Sequence, residues 1–255
     1  MNTLLTPGSL VGIRALVTGS SRGIGADTAA MLAGAGARVA INYRNKEARA
    51  LKVVAAIEAD GGQAVALGCD LTDPASVARM FATISKQWGG LDLLVLNASG
   101  GMESGMGEDY AMKLNRDAQL NVLDAALPLM ASGSRVVFVT SHQAHFVGTA
   151  ETVPEYLPVA LSKRAGEDAL RSRIGELDAK GIGFVVVSGD MIEGTITATL
   201  LERANPGAIK SRREEAGRLY TVNEFAAEVA QAAVDPIPDD HTRYVGDVSG
   251  FATAK

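Results

Sequence analysis

A glycine-rich turn separates a short apolar run from a helical pattern near the start of this 255-residue chain. The run Ala15-Leu16-Val17 has the character of a buried strand, and Ala26 to Ala35 has the pattern of a helix. The segment between them contains Thr18-Gly19-Ser20-Ser21-Arg22-Gly23-Ile24-Gly25. Glycines here permit a tight turn and let the backbone approach a phosphate group, which the first N–H groups of the helix can bind. The order strand, glycine turn, helix therefore predicts an α/β nucleotide-binding fold.

Apolar runs and helical patterns alternate along most of the chain. The runs are continuous in Val, Ile and Leu, which indicates strands buried on both faces, and helices between them imply parallel strands joined by crossovers. The predicted strands are 15–17, 39–41, 64–67, 93–96, 135–140 and 184–187, and the predicted helices are 26–35, 46–60, 73–88, 110–130 and 158–179. We therefore expect an α/β protein with a single Rossmann-type doubly wound parallel sheet, helices on both faces, and one domain over residues 1–255.

Composition excludes several classes of partner. The net charge is -5 and there are no basic blocks, so nucleic acid is not an expected partner. No apolar run reaches the roughly 20 residues needed to span a bilayer, and Met1 to Leu10 lacks the regions of a signal peptide. Cys69 is the single cysteine, which is too few for a disulfide or a cysteine-based metal site. We expect a cytoplasmic protein with no metal and no membrane partner.

Two further motifs follow predicted strands. Cys69-Asp70-Leu71 follows the third strand, and Asn97-Ala98-Ser99-Gly100 follows the fourth. With the Gly-x-x-x-Gly-x-Gly spacing of the first turn, they resemble the short-chain dehydrogenase/reductase family over nearly the whole chain, although Leu96 and Ser99 replace the family's asparagine and glycine. The resemblance implies a nicotinamide dinucleotide cofactor. The expected cofactor contacts are Gly19, Ser21, Arg22, Gly23, Ile24, Gly25, Arg44, Asp70, Leu71, Asn97, Ala98, Lys163, Gly189 and Thr195.

The residues after the second predicted strand bear on which dinucleotide binds. An acidic residue there would bind both ribose hydroxyls and repel a 2′-phosphate. The position holds Tyr43, Arg44 follows it, and Arg22 lies in the glycine turn. Because arginine makes bidentate charge-assisted bonds to phosphate, the pattern favours NADP over NAD, the alternative being that Arg44 is a solvated loop charge.

The resemblance also implies a catalytic group of Asn115, Ser141 and Lys163. In the family, a tyrosine gives a proton to a carbonyl oxygen that the serine holds, the lysine lowers the pKa of that tyrosine and holds the ribose, and the asparagine holds a water. The tyrosine stands four residues before the lysine, where this chain has Val159. The usual proton donor is therefore missing.

Tyr156 is the first candidate to replace it. Continued as a regular helix, the chain would place Tyr156 about 10.5 Å along the axis from Lys163, against about 6 Å for the residue at 159. However, Pro158 suits the first helical position, which puts Tyr156 in the entering loop, where it could fold over the site. The alternative is that Tyr156 is a packed amphipathic side chain.

Other donors remain open. His142 and His145 follow Ser141, and histidine titrates near neutral pH, so one of them, His145 in preference, is a candidate for acid/base or substrate-orienting work. The alternative is a hydrogen-bonded loop histidine. No acidic or cysteine ligand pattern accompanies the pair, so they do not indicate a metal site. The remaining possibilities are that a bound water or the substrate itself supplies the proton, or that the protein does not catalyse reduction.

The segment after the sixth predicted strand departs from the family's Pro-Gly pattern. Gly189 is kept, and Thr195 is expected near the nicotinamide. Residues 195–221 hold charges, Pro206-Gly207 and two helical fragments, and we expect them to form a substrate lid. The helices 110–130 and 158–179 resemble those that form dimer contacts in the family, which implies a homodimer or homotetramer.

These observations favour an NADP-dependent oxidoreductase that transfers a hydride between NADPH and a ketone or aldehyde, with an altered proton donor and a small carbonyl or alcohol compound as substrate. A second hypothesis is a non-catalytic NADP-binding sensor or regulatory protein. Retained Asn115, Ser141 and Lys163 favour the enzyme, because a pure binder needs neither the serine nor the asparagine. A third is an oxidoreductase acting on a phenolic or quinone-like ketone that needs no protein acid.

Overall fold

A seven-stranded parallel sheet forms the centre of the molecule. The structure is a computed structural model that describes residues 5–102, 107 and 109–252. The strands are β1 (Arg14–Val17), β2 (Arg38–Tyr43), β3 (Gln63–Gly68), β4 (Leu93–Leu96), β5 (Arg135–Ser141), β6 (Gly183–Gly189), β7 (Ile192–Glu193), β8 (Tyr220–Thr221) and β9 (Thr242–Val245). The main sheet has the order β3-β2-β1-β4-β5-β6-β9, and β7 pairs with β8 in a separate two-stranded parallel sheet.

Helices connect the strands. They are α1 (Gly23–Gly34), α2 (Glu47–Ala59), α3 (Pro74–Trp88), α4 (Tyr110–Met112), α5 (Ala118–Ala126), α6 (His142–His145), α7 (Leu157–Arg171), α8 (Ile174–Ala179), α9 (Ile196–Ala204), α10 (Ala208–Ala216), α11 (Val222–Gln231) and α12 (Ser249–Ala252). Within the described part of the chain, none of them is both long and apolar enough to cross a membrane.

Alternate residues of each central strand belong to different apolar cores. In β1, Leu16 packs with residues of α3 and α5, whereas Ala15 and Val17 pack with residues of α1, α2 and α11. The same alternation separates Leu94 from Val95 in β4. Because successive side chains point to opposite faces of a strand, continuous apolar runs supply both cores. The predicted α/β architecture, a doubly wound sheet with helices on both faces, is confirmed.

The strand order reverses between β1 and β4, which are hydrogen-bonded neighbours. The connections after them leave the sheet in opposite directions, and this opens a crevice at the carboxyl ends of the strands. Gly19 follows β1 and Asn97 follows β4, so the two predicted cofactor motifs meet at this point.

Two predicted helices are not regular. The helical segment 110–129 contains a π-helical stretch, Lys113–Asp117, between α4 and α5. The helix predicted over 158–179 is divided into α7 and α8. At the break, the Ser172 hydroxyl donates to the carbonyl of Ala169 at 2.7 Å, a type of bond that competes with the helical pattern.

Tyr156 was expected in a loop, but it ends a 3₁₀ turn, Pro154–Tyr156, that continues directly into α7. A further strand, β9, was not predicted from the sequence. It lies at the edge of the sheet, where Arg243 and Tyr244 remain partly exposed, so it lacks the continuous apolar run of the central strands.

Candidate active site

The turn after β1 is held by the residue next to the end of β2. The backbone N–H of Gly19 donates to Oδ1 of Asn42 at 3.0 Å, and the N–H of Asn42 donates to Oγ of Ser20 at 3.0 Å. The Ser20 hydroxyl in turn donates to the carbonyl of Val17 at 2.7 Å. Asn42 is buried, so this side chain sets the shape of the turn from inside the sheet.

Glycine is required in this turn for two different reasons. A Cβ on Gly19 would lie 2.9 Å from Cα of Ala98, and one on Gly25 would lie 2.6 Å from Nδ2 of Asn97. Gly23 has φ +58, and a Cβ there would meet nothing within 4 Å, so conformation rather than crowding favours glycine at this position. The turn thus lets two segments approach closely and leaves open space over the start of α1.

The start of α1 offers a site for an anion. Arg22 occupies the N-cap position without a side-chain capping bond, and the first turn contains no acidic residue. The first N–H groups of a helix carry positive partial charge and need acceptors. Together with the open space above Gly23, this arrangement fits a pyrophosphate.

Thr18 ties the two motifs across the crevice. Its hydroxyl accepts from the backbone N–H groups of Asn97 and Ala98 at 2.9 and 3.0 Å. The Asn97 carboxamide donates to the carbonyl of Thr18 at 2.9 Å, and Gln119 donates to the carbonyl of Ala98 at 3.0 Å. The carboxyl ends of β1 and β4 therefore form one rigid unit beneath the expected cofactor.

A long cleft of about 1670 Å³, part of it open to solvent, follows this edge of the sheet. It adjoins a second pocket of about 750 Å³, which is also partly open to solvent, and Ile24, Asn97 and Thr195 line both. The expected cofactor residues in the wall of the cleft are Gly19, Ser21, Arg22, Gly23, Ile24, Gly25, Arg44, Asp70, Leu71, Asn97, Ala98 and Thr195, and those in the wall of the pocket include Lys163 and Gly189. The fold thus brings all of the predicted cofactor contacts to two adjoining cavities that share part of their walls.

Basic side chains gather at the β2 end of the cleft. Besides Arg22 and Arg44, the wall contains Lys46 and Arg49, which the sequence analysis did not select although they lie two and five positions after Arg44. Asp70 is the acidic residue in the described wall, and its Oδ1 accepts from the hydroxyl and N–H of Thr72. The cleft therefore presents more positive than negative charge at this end.

Arg44 has an aromatic partner that sequence reasoning also missed. Its guanidinium hydrogen-bonds the hydroxyl of Tyr110 and lies 5.6 Å from the centre of that ring. Tyr43, at the position where an acid would favour NAD, donates its hydroxyl to Glu47 at 3.0 Å. Arg44 is thus placed at the rim of the cleft by a contact with the segment after β4.

The second pocket brings together Ser141, Tyr156 and Lys163. The hydroxyl oxygen of Tyr156 lies 3.2 Å from Oγ of Ser141. Burial raises the pKa of Tyr156, while the hydrogen bond with Ser141 opposes that rise. Burial lowers the pKa of Lys163 to about 8, against the attraction of Glu167. A phenol, a hydroxyl and an amine that titrates near neutral pH therefore share one pocket wall.

The position of Tyr156 is set by packing as well as by the 3₁₀ turn. Its side chain belongs to a small apolar cluster with Ala144, Val159, Ala160 and Leu201. Val159 is itself buried in this cluster and has no polar atom to offer. The valine therefore fills space beside Tyr156.

Asn115 lies outside the walls of both cavities. Its carboxamide accepts from the N–H of Gly100 at 3.1 Å and donates to the carbonyl of Gly100 at 2.8 Å and to Oγ of Ser162 at 2.9 Å. Its backbone carbonyl faces Gly166, where an added Cβ would approach to 1.9 Å. The Asn115 side chain joins the π-helical stretch to the segment after β4 and to α7, so this geometry supports positioning rather than contact with substrate.

His145 is also turned away from the pocket. Its Nδ1 lies 2.7 Å from Oε1 of Glu167 and its Nε2 lies 3.2 Å from the hydroxyl of Tyr244. His142, by contrast, lines the pocket, with Nδ1 at 2.8 Å from Oγ of Ser188. The geometry therefore gives no support to His145 as the proton donor, because both of its ring nitrogens already have partners behind the pocket.

The predicted lid segment forms α9 and α10, and β8 at its end. Thr195 caps α9, its hydroxyl accepting from the N–H of Ala198 at 3.1 Å. Thr197 and Leu201 of α9 contribute to the pocket wall. Residues of this segment thus line the same pocket as Ser141.

Comparison with known proteins agrees with these features. A family model described as short chain dehydrogenase matches residues 14–205. The chain is 30% identical over 259 residues to the short chain dehydrogenase/reductase nsrJ of Aspergillus novofumigatus (strain IBT 16806), a match that covers 98% of this chain and 92% of that protein. The chain therefore belongs to the short-chain dehydrogenase family, a family of oxidoreductases.

Two further matches are more specific in name. The chain is 37% identical over 173 residues to the hydroxynaphthalene reductase-like protein Arp2 of Metarhizium majus (strain ARSEF 297), covering 66% of this chain and 63% of that relative, which is less than two thirds of its length. The solved structure of the angucycline C-6 ketoreductase LanV with bound NADP matches with a TM-score of 0.75 and 29% identity over 96% of each chain.

Proposed function

We propose that this protein is an NADPH-dependent ketoreductase in which Tyr156 takes the place of the tyrosine absent at position 159. The observation that carries the proposal is the 3.2 Å contact between the Tyr156 hydroxyl and Oγ of Ser141, in a pocket that Lys163 also lines. Two hydroxyls at this separation can both reach the oxygen of one carbonyl group. The altered tyrosine position is thus compatible with the usual chemistry of the family.

When bound, the dinucleotide would supply the hydride that the carbonyl carbon accepts. Ser141 donates a hydrogen bond to the carbonyl oxygen and stabilises the negative charge that develops there. Tyr156 gives that oxygen its proton, and the positive charge of Lys163 stabilises the phenolate that remains. Burial keeps the pKa of Tyr156 raised, so its proton is present for donation through the neutral range.

The residues of the cleft suit NADP(H). The uncapped start of α1 and the open space at Gly23 suit the pyrophosphate, and the cations Arg22, Arg44, Lys46 and Arg49 suit a 2′-phosphate. Asp70 and Leu71 would contact the adenine, and Gly189 and Thr195 would lie near the nicotinamide. That LanV was solved with NADP supports the same choice.

A ring ketone of a polyphenolic or polycyclic aromatic compound is the substrate class that we favour. The pocket wall includes the large apolar side chains of Met191, Leu201, Phe225 and Phe251 together with polar residues such as Ser141. Relatives named for hydroxynaphthalene and for an angucycline support a planar aromatic substrate. Residues 195–221 would close over it as the lid.

Two expectations stay predictions. The homodimer or homotetramer implied by the resemblance is supported by Leu157 and Leu161, which are exposed one turn apart on α7. The cytoplasmic location expected from the sequence is the second of these predictions.

The test is NADPH oxidation with a panel of aromatic and aliphatic ketones, using the wild type and Tyr156→Phe. We expect Tyr156→Phe to reduce kcat by about a hundredfold or more, because general acid catalysis contributes that much, while NADPH still binds. Tyr220→Phe is the control, since that tyrosine lies in β8 outside the pocket wall, and it should retain activity. Full activity of Tyr156→Phe would remove Tyr156 from the mechanism.

The same panel separates the enzyme from a non-catalytic NADP-binding sensor. A sensor would bind NADPH tightly and oxidise it with none of the ketones. Its affinity for NADPH would also be unchanged in Ser141→Ala. Reduction of even one ketone that depends on Ser141 would therefore decide for the enzyme.

A further inference from the structure

A buried carboxylate lies behind the pocket, one helical turn after Lys163 on α7. Glu167 has no exposed surface. Its Oε1 accepts from Nδ1 of His145 at 2.7 Å and from Nε of Arg171 at 2.8 Å, and Nη1 of Arg164 lies 3.9 Å from the same oxygen. Three basic side chains from two helices therefore surround one oxygen of this carboxylate.

The other oxygen of Glu167 has a different environment. Oε2 is buried and has no hydrogen-bond partner among the described residues. Residues four apart share a helix face, separated by about 6 Å along the axis. Side chains on a helix also lean toward its N-terminus, which directs Glu167 to the turn that carries Lys163. Oε2 is thus the oxygen that no described side chain holds, on a residue one helical turn from the buried amine.

We propose that Glu167 is a positioning residue that keeps Lys163 positively charged in the pocket, and that His145 and Arg171 hold its carboxylate for this role. Glu167 touches neither substrate nor cofactor in this arrangement and acts through Lys163. His145, which the sequence analysis considered as a proton donor, becomes a support for Glu167 from α6.

The electrostatics of the two groups agree with this assignment. Burial raises the pKa of the Glu167 carboxyl, but the hydrogen bonds and charges of His145 and Arg171 outweigh it and leave that pKa below its ordinary value. The carboxylate is therefore ionised through the neutral range. Burial lowers the pKa of Lys163 to about 8, and the attraction of Glu167 acts in the opposite direction. Without that attraction, Lys163 would lose its proton at a lower pH.

The carboxylate is anchored to the edge of the sheet. Arg171 donates to Oγ1 of Thr242 at 2.6 Å and to the carbonyl of Asp240 at 2.9 Å, so it connects α7 to β9 while holding Glu167. The Nε2 atom of His145 lies 3.2 Å from the hydroxyl of Tyr244 on the same strand. His145 and Arg171, which hold the Glu167 carboxylate, are thus themselves held by residues in and beside β9, as a positioning role requires.

The inference rests on the proposed function, because a charged Lys163 matters there for the proton given by Tyr156. The decisive measurement is independent of activity. Lysine labelled with ¹³C at Cε is titrated by NMR, and the Lys163 signal is assigned by its loss in Lys163→Arg. We expect Glu167→Gln to move the Lys163 midpoint down by about one pH unit, because it removes the buried carboxylate that raises the pKa of this amine and a nearby opposite charge shifts a pKa by about one unit or more.

Asp168→Asn is the matched control. It removes a carboxylate from the next position of α7, where Asp168 is largely exposed and pairs with Arg164 at 2.7 Å. We expect no change in the Lys163 midpoint. Should Glu167→Gln fail to fold, Glu167→Asp keeps the charge on a shorter side chain, farther from Lys163, and should move the midpoint down by a smaller amount.

Activity gives the second readout. In Glu167→Gln, the alkaline limb of kcat/KM should move to lower pH with the Lys163 midpoint. If the variant is only less stable and the NMR midpoint does not move, the inference is wrong and Glu167 is purely structural. If the midpoint moves but the wild type reduces no ketone, the inference stands and the proposed function fails.

Discussion

Arg212 of α10 forms a bidentate ion pair with Asp190, the residue that follows β6. Its Nε lies 2.9 Å from Oδ1 and its Nη2 lies 2.8 Å from Oδ2. The same guanidinium contacts Asp247 at 3.1 Å and lies 5.1 Å from the centre of the Phe251 ring. Side-chain exposure is 13% for Arg212 and 4% for Asp190, so the pair is shielded from water. One side chain thus attaches the predicted lid to the carboxyl ends of two strands.

Replacing Arg212 with Met should loosen the lid and lower stability. The change keeps much of the apolar stem but leaves Asp190 buried without its partner, which typically costs about 3 to 5 kcal/mol. We expect urea unfolding to show a loss of this order and the KM for the ketone to rise more than kcat falls. Arg213→Met is the control. Arg213 is half exposed and pairs with Glu193, so its loss should cost less than about 1 kcal/mol. Equal effects of the two variants would contradict the assignment.

Gly166 is the contact point between α7 and the π-helical stretch. A Cβ there would lie 1.9 Å from the carbonyl oxygen of Asn115, so one of the two helices must move. We expect Gly166→Ala to lower the free energy of unfolding by about 3 kcal/mol, at the upper end of overpacking costs, and to reduce activity through the Asn115 contacts. Thermal unfolding followed by circular dichroism measures the first effect.

Gly175→Ala is the control, because an added Cβ at this glycine has open space around it. A Cβ on Gly175 of α8 would meet nothing within 4 Å, and there alanine should stabilise the helix by about 0.5 to 1 kcal/mol. Opposite signs for two Gly→Ala changes are the expected result. A neutral Gly166→Ala would mean that the close approach relaxes without cost.

Arg44 is expected to favour the phosphorylated dinucleotide. Removing one charge-assisted contact costs roughly 1.5 to 3 kcal/mol, so Arg44→Ser should raise the KM for NADPH by about tenfold or more. The KM for NADH should change little, because it has no 2′-phosphate. Steady-state kinetics with each cofactor tests this, with Arg79→Ser as a control for the loss of a surface charge, since Arg79 lies on α3 outside the cleft wall. An equal loss with both cofactors would place Arg44 elsewhere in binding.

The central sheet was predictable because its strands have a strong local signal. Runs such as Val136 to Val139 are buried on both faces of the sheet. Such a strand is apolar at every position, so it can be recognised in the sequence. The edge strand β9 faces solvent at Arg243 and Tyr244, and its pattern resembles a loop. Pairing between β7 and β8 depends on contacts between residues far apart in the chain, which no local pattern contains.

Which residues lie near the cavities could be predicted in part, but the directions of their side chains could not. The glycines after β1 could be predicted because the order of strand, glycine turn and helix is a pattern of neighbouring residues. Which way Asn115 and His145 point depends on Gly100, Ser162 and Glu167, which lie at distant positions in the chain. The 3₁₀ turn that brings Tyr156 to Ser141 likewise depends on the packing of Leu201 against it.

His142 should make stability fall in mild acid. Burial, followed by the positive charges of His145 and Arg212, lowers its pKa to about 4, against about 6.5 for an unfolded histidine. Between these values the unfolded state binds a proton that the folded state does not, so stability decreases as pH falls from about 6.5 toward about 4, by up to about 3 kcal/mol in total. Above about pH 6.5 both states are neutral and this effect vanishes. Urea unfolding at about pH 7 and about pH 5 measures it, with His142→Gln as the comparison, because glutamine keeps a polar group near Ser188 and does not titrate. The wild type should lose more stability than His142→Gln between these two pH values, and equal losses would show that His142 does not titrate as its burial requires.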